Sequence, residues 1–146
     1  AIGITPIQAA QIILTIVNDG VLKKPLLVKE IIYPDGEKSI SRFSEIKTSR
    51  IISAETANKV KEALEAATEY GTGKKANPKN LCQTGGKTGT AEIKNENSHA
   101  WFVGYYPAKK PELVISVFVE YGGSGSIKAT PVFKEIIERT SLVENN

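Results

Sequence analysis

Residues 113–121 constrain the fold most, because their apolar pattern predicts a strand that is covered on both sides. One face carries only apolar or aromatic side chains and the other is partly apolar: Leu113, Ile115, Val117, Val119 and Tyr121 alternate with Val114, Ser116, Phe118 and Glu120. Successive side chains of a strand point to opposite faces of its sheet. This pattern is therefore typical of a central strand with helices on both faces of the sheet.

The N-terminal part of the chain has the signals of a helix start. Thr5 can cap the helix, Pro6 suits its first turn, and Gln8 completes a capping box. Residues 7–17 are apolar on nearly every side, which predicts a helix that is buried all round. Residues 18–20, which read Asn-Asp-Gly, are expected to end it.

The middle of the chain predicts a hairpin and then a second helix. Residues 26–32 are rich in β-forming residues, residues 34–36 read Pro-Asp-Gly and favour a turn, and residues 40–43 can form the return strand. Ser53 opens a helix that residues 71–73, Gly-Thr-Gly, bring to an end. The predicted inward face of this helix consists of Ala57, Val60, Leu64 and Ala67.

The C-terminal half predicts three strands and a last helix. Strand patterns cover residues 88–93, 100–105 and 113–121, and a proline-containing turn joins the second and third. The last helix is expected to begin at Thr130-Pro131, with inward residues Val132, Phe133, Ile136 and Ile137. The order of elements predicts an α+β fold in which three antiparallel strands are backed by helices.

Composition excludes several classes of function. The net charge of +3 comes from lysines and arginines that are spread along the chain, so it does not indicate nucleic-acid binding. The chain has one cysteine, Cys82, and one histidine, His99, which excludes zinc-site spacings and an internal disulfide. No apolar run reaches the roughly 18 residues of a membrane span.

Gly86-Lys87-Thr88-Gly89-Thr90 is the candidate functional motif. A phosphate-binding loop would need glycine in place of Leu81, and a helix where residues 91–93 predict strand. The glycines could instead serve only a bulge or a turn beside an edge strand. The third possibility is a ligand site, because a lysine ammonium and neighbouring hydroxyls on an exposed strand suit a carboxylate. Gly89 would then let a ligand backbone lie close to the strand and pair with it.

The order of short motifs resembles that of class B penicillin-binding proteins, which favours the ligand site. The similar segments are Gly3-Ile4-Thr5-Pro6-Ile7-Gln8, Asn18-Asp19-Gly20 with Pro25-Leu26-Leu27-Val28, Ser53-Ala54-Glu55-Thr56-Ala57, Gly71-Thr72-Gly73-Lys74-Lys75-Ala76, Gly86-Lys87-Thr88-Gly89-Thr90-Ala91-Glu92, His99-Ala100-Trp101-Phe102-Val103-Gly104-Tyr105-Tyr106-Pro107 and Ala129-Thr130-Pro131-Val132-Phe133. The resemblance implies that residues 1–146 are the C-terminal portion of a penicillin-binding transpeptidase domain. These residues would form part of the serine β-lactamase-like fold of that domain.

The resemblance also implies roles for the residues of the Lys-Thr-Gly motif. Lys87 would hold the charge and hydrogen-bond network of the catalytic site, and the Thr88 and Thr90 hydroxyls would bind the substrate carboxylate. The Thr90 backbone N–H would be one of two oxyanion-hole donors. Gly86 and Gly89 would keep the strand accessible to substrate.

Two further motifs of the family, Ser-x-x-Lys with the nucleophilic serine and Ser-x-Asn, lie upstream of the region that resembles this chain. Ser44-Glu45-Ile46-Lys47 has the first spacing, but roughly one such match is expected by chance and it falls in the predicted hairpin. No Ser-x-Asn or Tyr-x-Asn occurs in the sequence. We therefore interpret the chain as a piece of a longer protein that is inactive alone.

For the parent protein, the resemblance implies a peptidoglycan D,D-transpeptidase that acts through an acyl-serine intermediate. It would bind D-Ala-D-Ala stem peptides and β-lactams, without a cofactor, and would be membrane-anchored outside the cytoplasmic membrane. The alternatives are a D,D-carboxypeptidase or serine β-lactamase of the same fold, and a β-lactam sensor that is acylated once and signals.

The outer edge of the 113–121 strand is expected to pair. In the family's fold, as the resemblance implies, the Lys87 strand lies at one edge of a five-stranded sheet. The 113–121 strand is internal there, beside a strand from the upstream part. Without that neighbour, the strand presents an apolar edge with no proline or lysine inside it. The expected outcome is a homodimer through this edge, or cover by a rearranged segment of the same chain.

The other polar and aromatic candidates receive structural interpretations. His99 is expected to begin a strand beside the site, and Cys82 to lie in a loop near it. Trp101, Phe102 and Phe118 are expected to pack on faces of the sheet.

Overall fold

A computed structural model describes residues 3–28, 31–34, 38–39 and 48–144. In chain order the elements are α1 (Pro6–Val17), β1 (Val21–Lys23), β2 (Ile31–Ile32), β3 (Lys38–Ser39), β4 (Thr48–Arg50), α2 (Ala54–Glu69), a 3₁₀ helix (Lys74–Ala76), β5 (Gly85–Ala91), β6 (His99–Tyr106), β7 (Leu113–Val119) and α3 (Gly125–Glu144). This order confirms the predicted α+β class.

The main sheet is antiparallel and has the order β5-β6-β7. Its register places Lys87 opposite Val103 and Trp101 opposite Phe118. Helix α3 packs on one face, whereas α1 and α2 pack on the other. The prediction of three antiparallel strands backed by helices is therefore confirmed.

Two residues of β6 that point to opposite faces of the sheet supply its largest buried side chains. Phe102 faces α3, where its ring centroid lies 4.6 Å from that of Phe133, and both side chains are fully buried. Tyr105 faces the other way, and its hydroxyl donates a hydrogen bond to Glu65 Oε1 at 3.0 Å. Burial, and then the Glu65 charge, raise the pKa of Tyr105, so the hydroxyl remains a donor.

The start of α1 is capped as predicted, but the helix is not buried all round. Thr5 N donates to Gln8 Oε1 at 2.8 Å, and Gln8 N donates to Thr5 Oγ1 at 3.3 Å. The prediction of complete burial is wrong, because Ile7 and Ile12 are 55% and 56% exposed. Among the described residues, the sheet and α2 cover only one side of the helix.

The predicted hairpin is present in part. β2 pairs with β3 in antiparallel fashion, with Ile31 opposite Ser39. Residues 26–28 are not a strand, and the predicted return strand at 40–43 lies outside the described residues. β1 and β4 form a second antiparallel pair that the sequence did not predict.

Helix α2 agrees with the prediction at its start and on its inward face. Thr56 N donates to the Ser53 hydroxyl, which caps the helix, at 3.1 Å. Ala57 and Leu64 are buried.

Two elements begin several residues earlier than predicted. β5 begins at Gly85 instead of Thr88, because the glycines that resemble a loop pair with Tyr105 and Gly104 in the ladder. Helix α3 begins at Gly125, so Pro131 lies inside it instead of at its start.

The inward face of α3 was only half predicted. Phe133 and Ile137 are fully buried, whereas Val132 and Ile136 are 41% and 39% exposed. The helix contacts the sheet along one narrow side, so Val132 and Ile136, which lie beside that side, remain partly exposed to solvent.

We expect Gly104→Ala to destabilise the fold by about 1–3 kcal/mol, because an added methyl group overpacks the contact between β6 and β5. A Cβ at this position would lie 2.6 Å from Gly85 O and 2.9 Å from the Phe102 ring. Gly3→Ala is the matched control, since a Cβ there meets nothing within 4 Å. Urea unfolding of both variants in the complete protein measures the difference, and equal stabilities would contradict the prediction.

Candidate functional site

Four consecutive residues of β5 bring the predicted site residues to one cleft. Lys87, Thr88, Gly89 and Thr90 all line a cleft of about 600 Å³. β5 has β6 as its strand neighbour on one side, and no described strand pairs with its other edge. The strand therefore offers side chains and one row of backbone groups at the same place.

The remaining wall of the cleft is largely apolar. On the sheet side it includes Trp101 and Phe118, whose ring centroids lie 4.6 Å apart. On the helix side it includes Ile12 and Ile13 of α1. Phe102 packs in the core, as predicted, whereas Trp101 and Phe118 border the same space as Lys87.

Lys87 supplies the positive charge of the cleft. Its Nζ donates to Thr88 O at 3.2 Å and lies 3.4 Å from Thr88 Oγ1. No aspartate or glutamate occurs among the described residues that line the cleft. The ion pairs found between described residues do not include Lys87. Its ammonium is therefore available to an anionic ligand.

Thr72 is a residue near the site that the sequence analysis missed. Its hydroxyl lies 2.7 Å from the Thr88 hydroxyl, so Thr88 Oγ1 is within hydrogen-bond reach of both Thr72 and Lys87. Thr72 belongs to the Gly-Thr-Gly segment after α2, which the sequence indicated as the end of that helix and as one of the segments that resemble the family. The available signal was that this family-like segment precedes the Lys87 motif in the sequence.

Gly89 lies where a side chain would crowd the cleft wall. A Cβ on this residue would lie 3.1 Å from Trp101 Cβ, which is tighter than nearly all real contacts. A residue without a side chain keeps both Trp101 and the exposed edge of β5 accessible.

His99 and Cys82 do not add a catalytic pair. His99 begins β6, as predicted, and its Nδ1 accepts a hydrogen bond from Tyr121 N at 2.9 Å. Cys82 is a free, exposed cysteine, and it is not among the residues that line the cleft. Ser44-Glu45-Ile46-Lys47 lies outside the described residues.

The described part of the chain contains no cluster of three or more histidine, cysteine, aspartate or glutamate side chains that could hold a metal ion. None of its helices combines the length and the apolar character needed to cross a bilayer.

Comparison with known families agrees with the geometry. The family model of the penicillin binding protein transpeptidase domain matches residues 1–138. The chain belongs to the penicillin-binding protein transpeptidase family.

Curated relatives are similar to this transpeptidase chain over nearly its whole length. It is 36% identical to Stage V sporulation protein D of Bacillus subtilis, over 98% of the chain and 23% of that protein. It is 33% identical to the peptidoglycan D,D-transpeptidase PbpA of Mycolicibacterium smegmatis, over 93% of the chain and 29% of that protein. The chain thus spans less than a third of the length of either relative.

Solved structures of the family share the fold. The D,D-transpeptidase domain of a peptidoglycan glycosyltransferase from Eggerthella lenta matches with a TM-score of 0.81 and 36% identity, over 94% of this chain and 33% of that one. The imipenem acyl-enzyme complex of penicillin-binding protein A from Mycobacterium tuberculosis matches with a TM-score of 0.77 and 32% identity, over 92% and 30% of the two chains.

Proposed function

We propose that this chain supplies the Lys-Thr-Gly strand of a peptidoglycan D,D-transpeptidase. The observation that carries the proposal is the continuous run of Lys87, Thr88, Gly89 and Thr90 along a cleft with no acidic residue among its described lining. Such a cleft suits the carboxylate that terminates a D-Ala-D-Ala stem peptide or is carried by a β-lactam. The relative named as a D,D-transpeptidase and the relative seen as an imipenem acyl-enzyme support the assignment.

Each residue of the run has a proposed role. Lys87 attracts the carboxylate and sustains the charge of the catalytic network, while the Thr88 and Thr90 hydroxyls donate hydrogen bonds to that carboxylate. The Thr90 backbone N–H is one donor to the oxyanion that forms on the attacked carbonyl. Gly89 allows the peptide to lie along the free edge of β5 as an added strand.

The nucleophile in this proposal belongs to another part of the complete protein. A serine Oγ attacks the carbonyl between the two D-alanines, the C–N bond breaks, and the terminal D-alanine leaves as an amine. An amine of a second stem peptide then attacks the acyl-serine ester and releases the serine. In this assignment, residues 1–146 are the C-terminal portion of the transpeptidase domain, and the exposed Ile7 and Ile12 of α1 contact the rest of it.

The family relatives favour the transpeptidase over the alternatives. The relatives named by activity are D,D-transpeptidases, whereas a carboxypeptidase, a β-lactamase and a sensor rest only on the shared fold. The proposed parent is membrane-anchored and acts on the extracytoplasmic side, where peptidoglycan is cross-linked.

Replacing Lys87 with alanine in the complete protein should slow acylation by penicillin at least about tenfold, equivalent to roughly 1.4 kcal/mol of lost transition-state stabilisation. Lys109→Ala and Lys110→Ala are matched controls, because both lysines are exposed in the turn between β6 and β7. Lys110 forms only an exposed ion pair with Glu112, which contributes little. Equal effects at the three positions would show that Lys87 is an ordinary surface lysine.

The isolated 146-residue chain should form no covalent adduct with penicillin, because none of its serines has the neighbours of the nucleophile. Intact-mass measurement after incubation is the test, with the complete protein as the positive control. A stoichiometric adduct on any serine, including Ser44, would refute fragment inactivity while leaving the family assignment intact.

The isolated chain should also dimerise through the outer edge of β7. Among the described strands β7 pairs only with β6, so its other edge leaves backbone groups free for a second copy. A two-fold antiparallel pairing of β7 with its copy is the expected form. Light scattering at micromolar concentration should give the mass of a dimer, and a monomer at all accessible concentrations would exclude it.

A further inference from the structure

Beyond Gly85 and Gly86, which are buried against β6, the strand that carries the site has few side chains that fix its position. Three of the seven residues of β5 are glycine, and the last five are not buried. Glycine-rich and polar strands specify register weakly, because few side chains lose contacts when such a strand shifts. β5 is also held by a neighbouring strand on only one side among the described strands. Its position therefore needs a constraint from outside the ladder.

A closed set of hydrogen bonds holds the residue immediately before β5. Asn77 Oδ1 accepts from Thr84 N at 2.9 Å and from Thr84 Oγ1 at 2.8 Å. Asn77 Nδ2 donates to Thr68 O at 2.8 Å, and Thr68 Oγ1 donates to Thr84 O at 2.6 Å. Both backbone groups of Thr84 are thus tied to the last turn of α2, directly or through Asn77.

Burial makes these hydrogen bonds costly to lose. Thr68 and Thr84 are fully buried, so their polar groups cannot easily exchange a lost partner for water. A buried donor or acceptor that loses its partner does not regain a hydrogen bond to water, which destabilises the fold. Asn77 uses both ends of its amide in this set, and so it connects the end of α2 to the start of β5.

We propose that Asn77 is a positioning residue for the site: by holding Thr84, it fixes the placement of Lys87 and Thr90 in the cleft. The proposal rests on the proposed transpeptidase function. Lys87 lies three residues beyond Thr84, about 10 Å along an extended strand. A shift at Thr84 would reach Lys87 through the backbone of Gly85 and Gly86, and it would disturb their pairing with Tyr105 and Gly104 in the ladder. Misplacement by about 1 Å can cost a catalytic site roughly a hundredfold in rate.

The test compares Asn77→Ala with Asn77→Asp in the complete protein. Aspartate keeps an acceptor for both Thr84 bonds but faces Thr68 O with an oxygen instead of a donor, so a repulsion replaces that bond, whereas alanine loses all three bonds. We expect Asn77→Ala to slow penicillin acylation about ten- to a hundredfold per active molecule. Asn77→Asp should remain within about threefold of wild type even where its melting temperature falls. Asn58→Ala, at an exposed position on α2, is the matched control and should acylate at the wild-type rate.

The readout separates positioning from stability. Exhaustive titration with labelled penicillin counts the competent molecules, and the rate constant is measured on that fraction well below the melting temperature. An Asn77→Ala rate constant within twofold of wild type would overturn the proposal, as would equal losses in the alanine and aspartate variants.

If Asn77→Ala does not fold, Thr68→Val takes its place, because it releases the Thr84 carbonyl. An unchanged rate constant in Thr68→Val would also overturn the proposal. Failure of the wild-type protein to be acylated would instead contradict the proposed function.

Discussion

The pairing of β5 with β6 is the interaction on which the site depends. β6 is fixed from both faces, by Phe102 against α3 and by Tyr105 against α2, and burying one large aromatic side chain contributes about 1.5–3 kcal/mol. β5 buries little of its own and takes its place from β6 and from the hydrogen bonds around Thr84. β6 therefore supplies the buried contacts and β5 the candidate site residues. The exposed residues of β5 can remain polar and accessible without weakening the core.

Features that depend on neighbouring residues in sequence could be predicted. The caps at Thr5 and Ser53 are local hydrogen bonds, and the structure has both. The alternation in residues 113–121 reflects burial on two faces, and β7 occupies most of that stretch between helices. The candidate site could be located because its residues are consecutive: a short strand segment brings Lys87 to Thr90 into one cleft without any long-range contact having to be foreseen.

Features that depend on tertiary contacts could not be predicted. Gly85 and Gly86 have poor strand propensity, and only their pairing with Tyr105 and Gly104 makes them part of β5. Pro131 is typical of a helix start, yet α3 begins six residues earlier at Gly125. The roles of Thr72 and Asn77 depend on partners 16 and 7 residues away along the chain, at Thr88 and Thr84, which no local pattern reveals. The exposure of α1 was missed because apolar composition indicates what a helix can bury, not what lies beside it.

In the proposed function, the hydroxyl arrangement around Thr88 would let the cleft accept a carboxylate at low cost. Thr88 Oγ1 is within reach of the Lys87 ammonium, which can only donate, so the Thr88 hydrogen must point elsewhere. Without ligand, it can point to Thr72 Oγ1, 2.7 Å away. When a carboxylate arrives, Thr88 can turn its hydrogen to the ligand while Thr72 donates to Thr88 in return. The hydrogen bond between Thr72 and Thr88 would be kept in this exchange, and the new bond would be charge-assisted. The apolar side chains of Trp101 and Phe118 would strengthen the attraction between Lys87 and the anion by lowering the local dielectric constant.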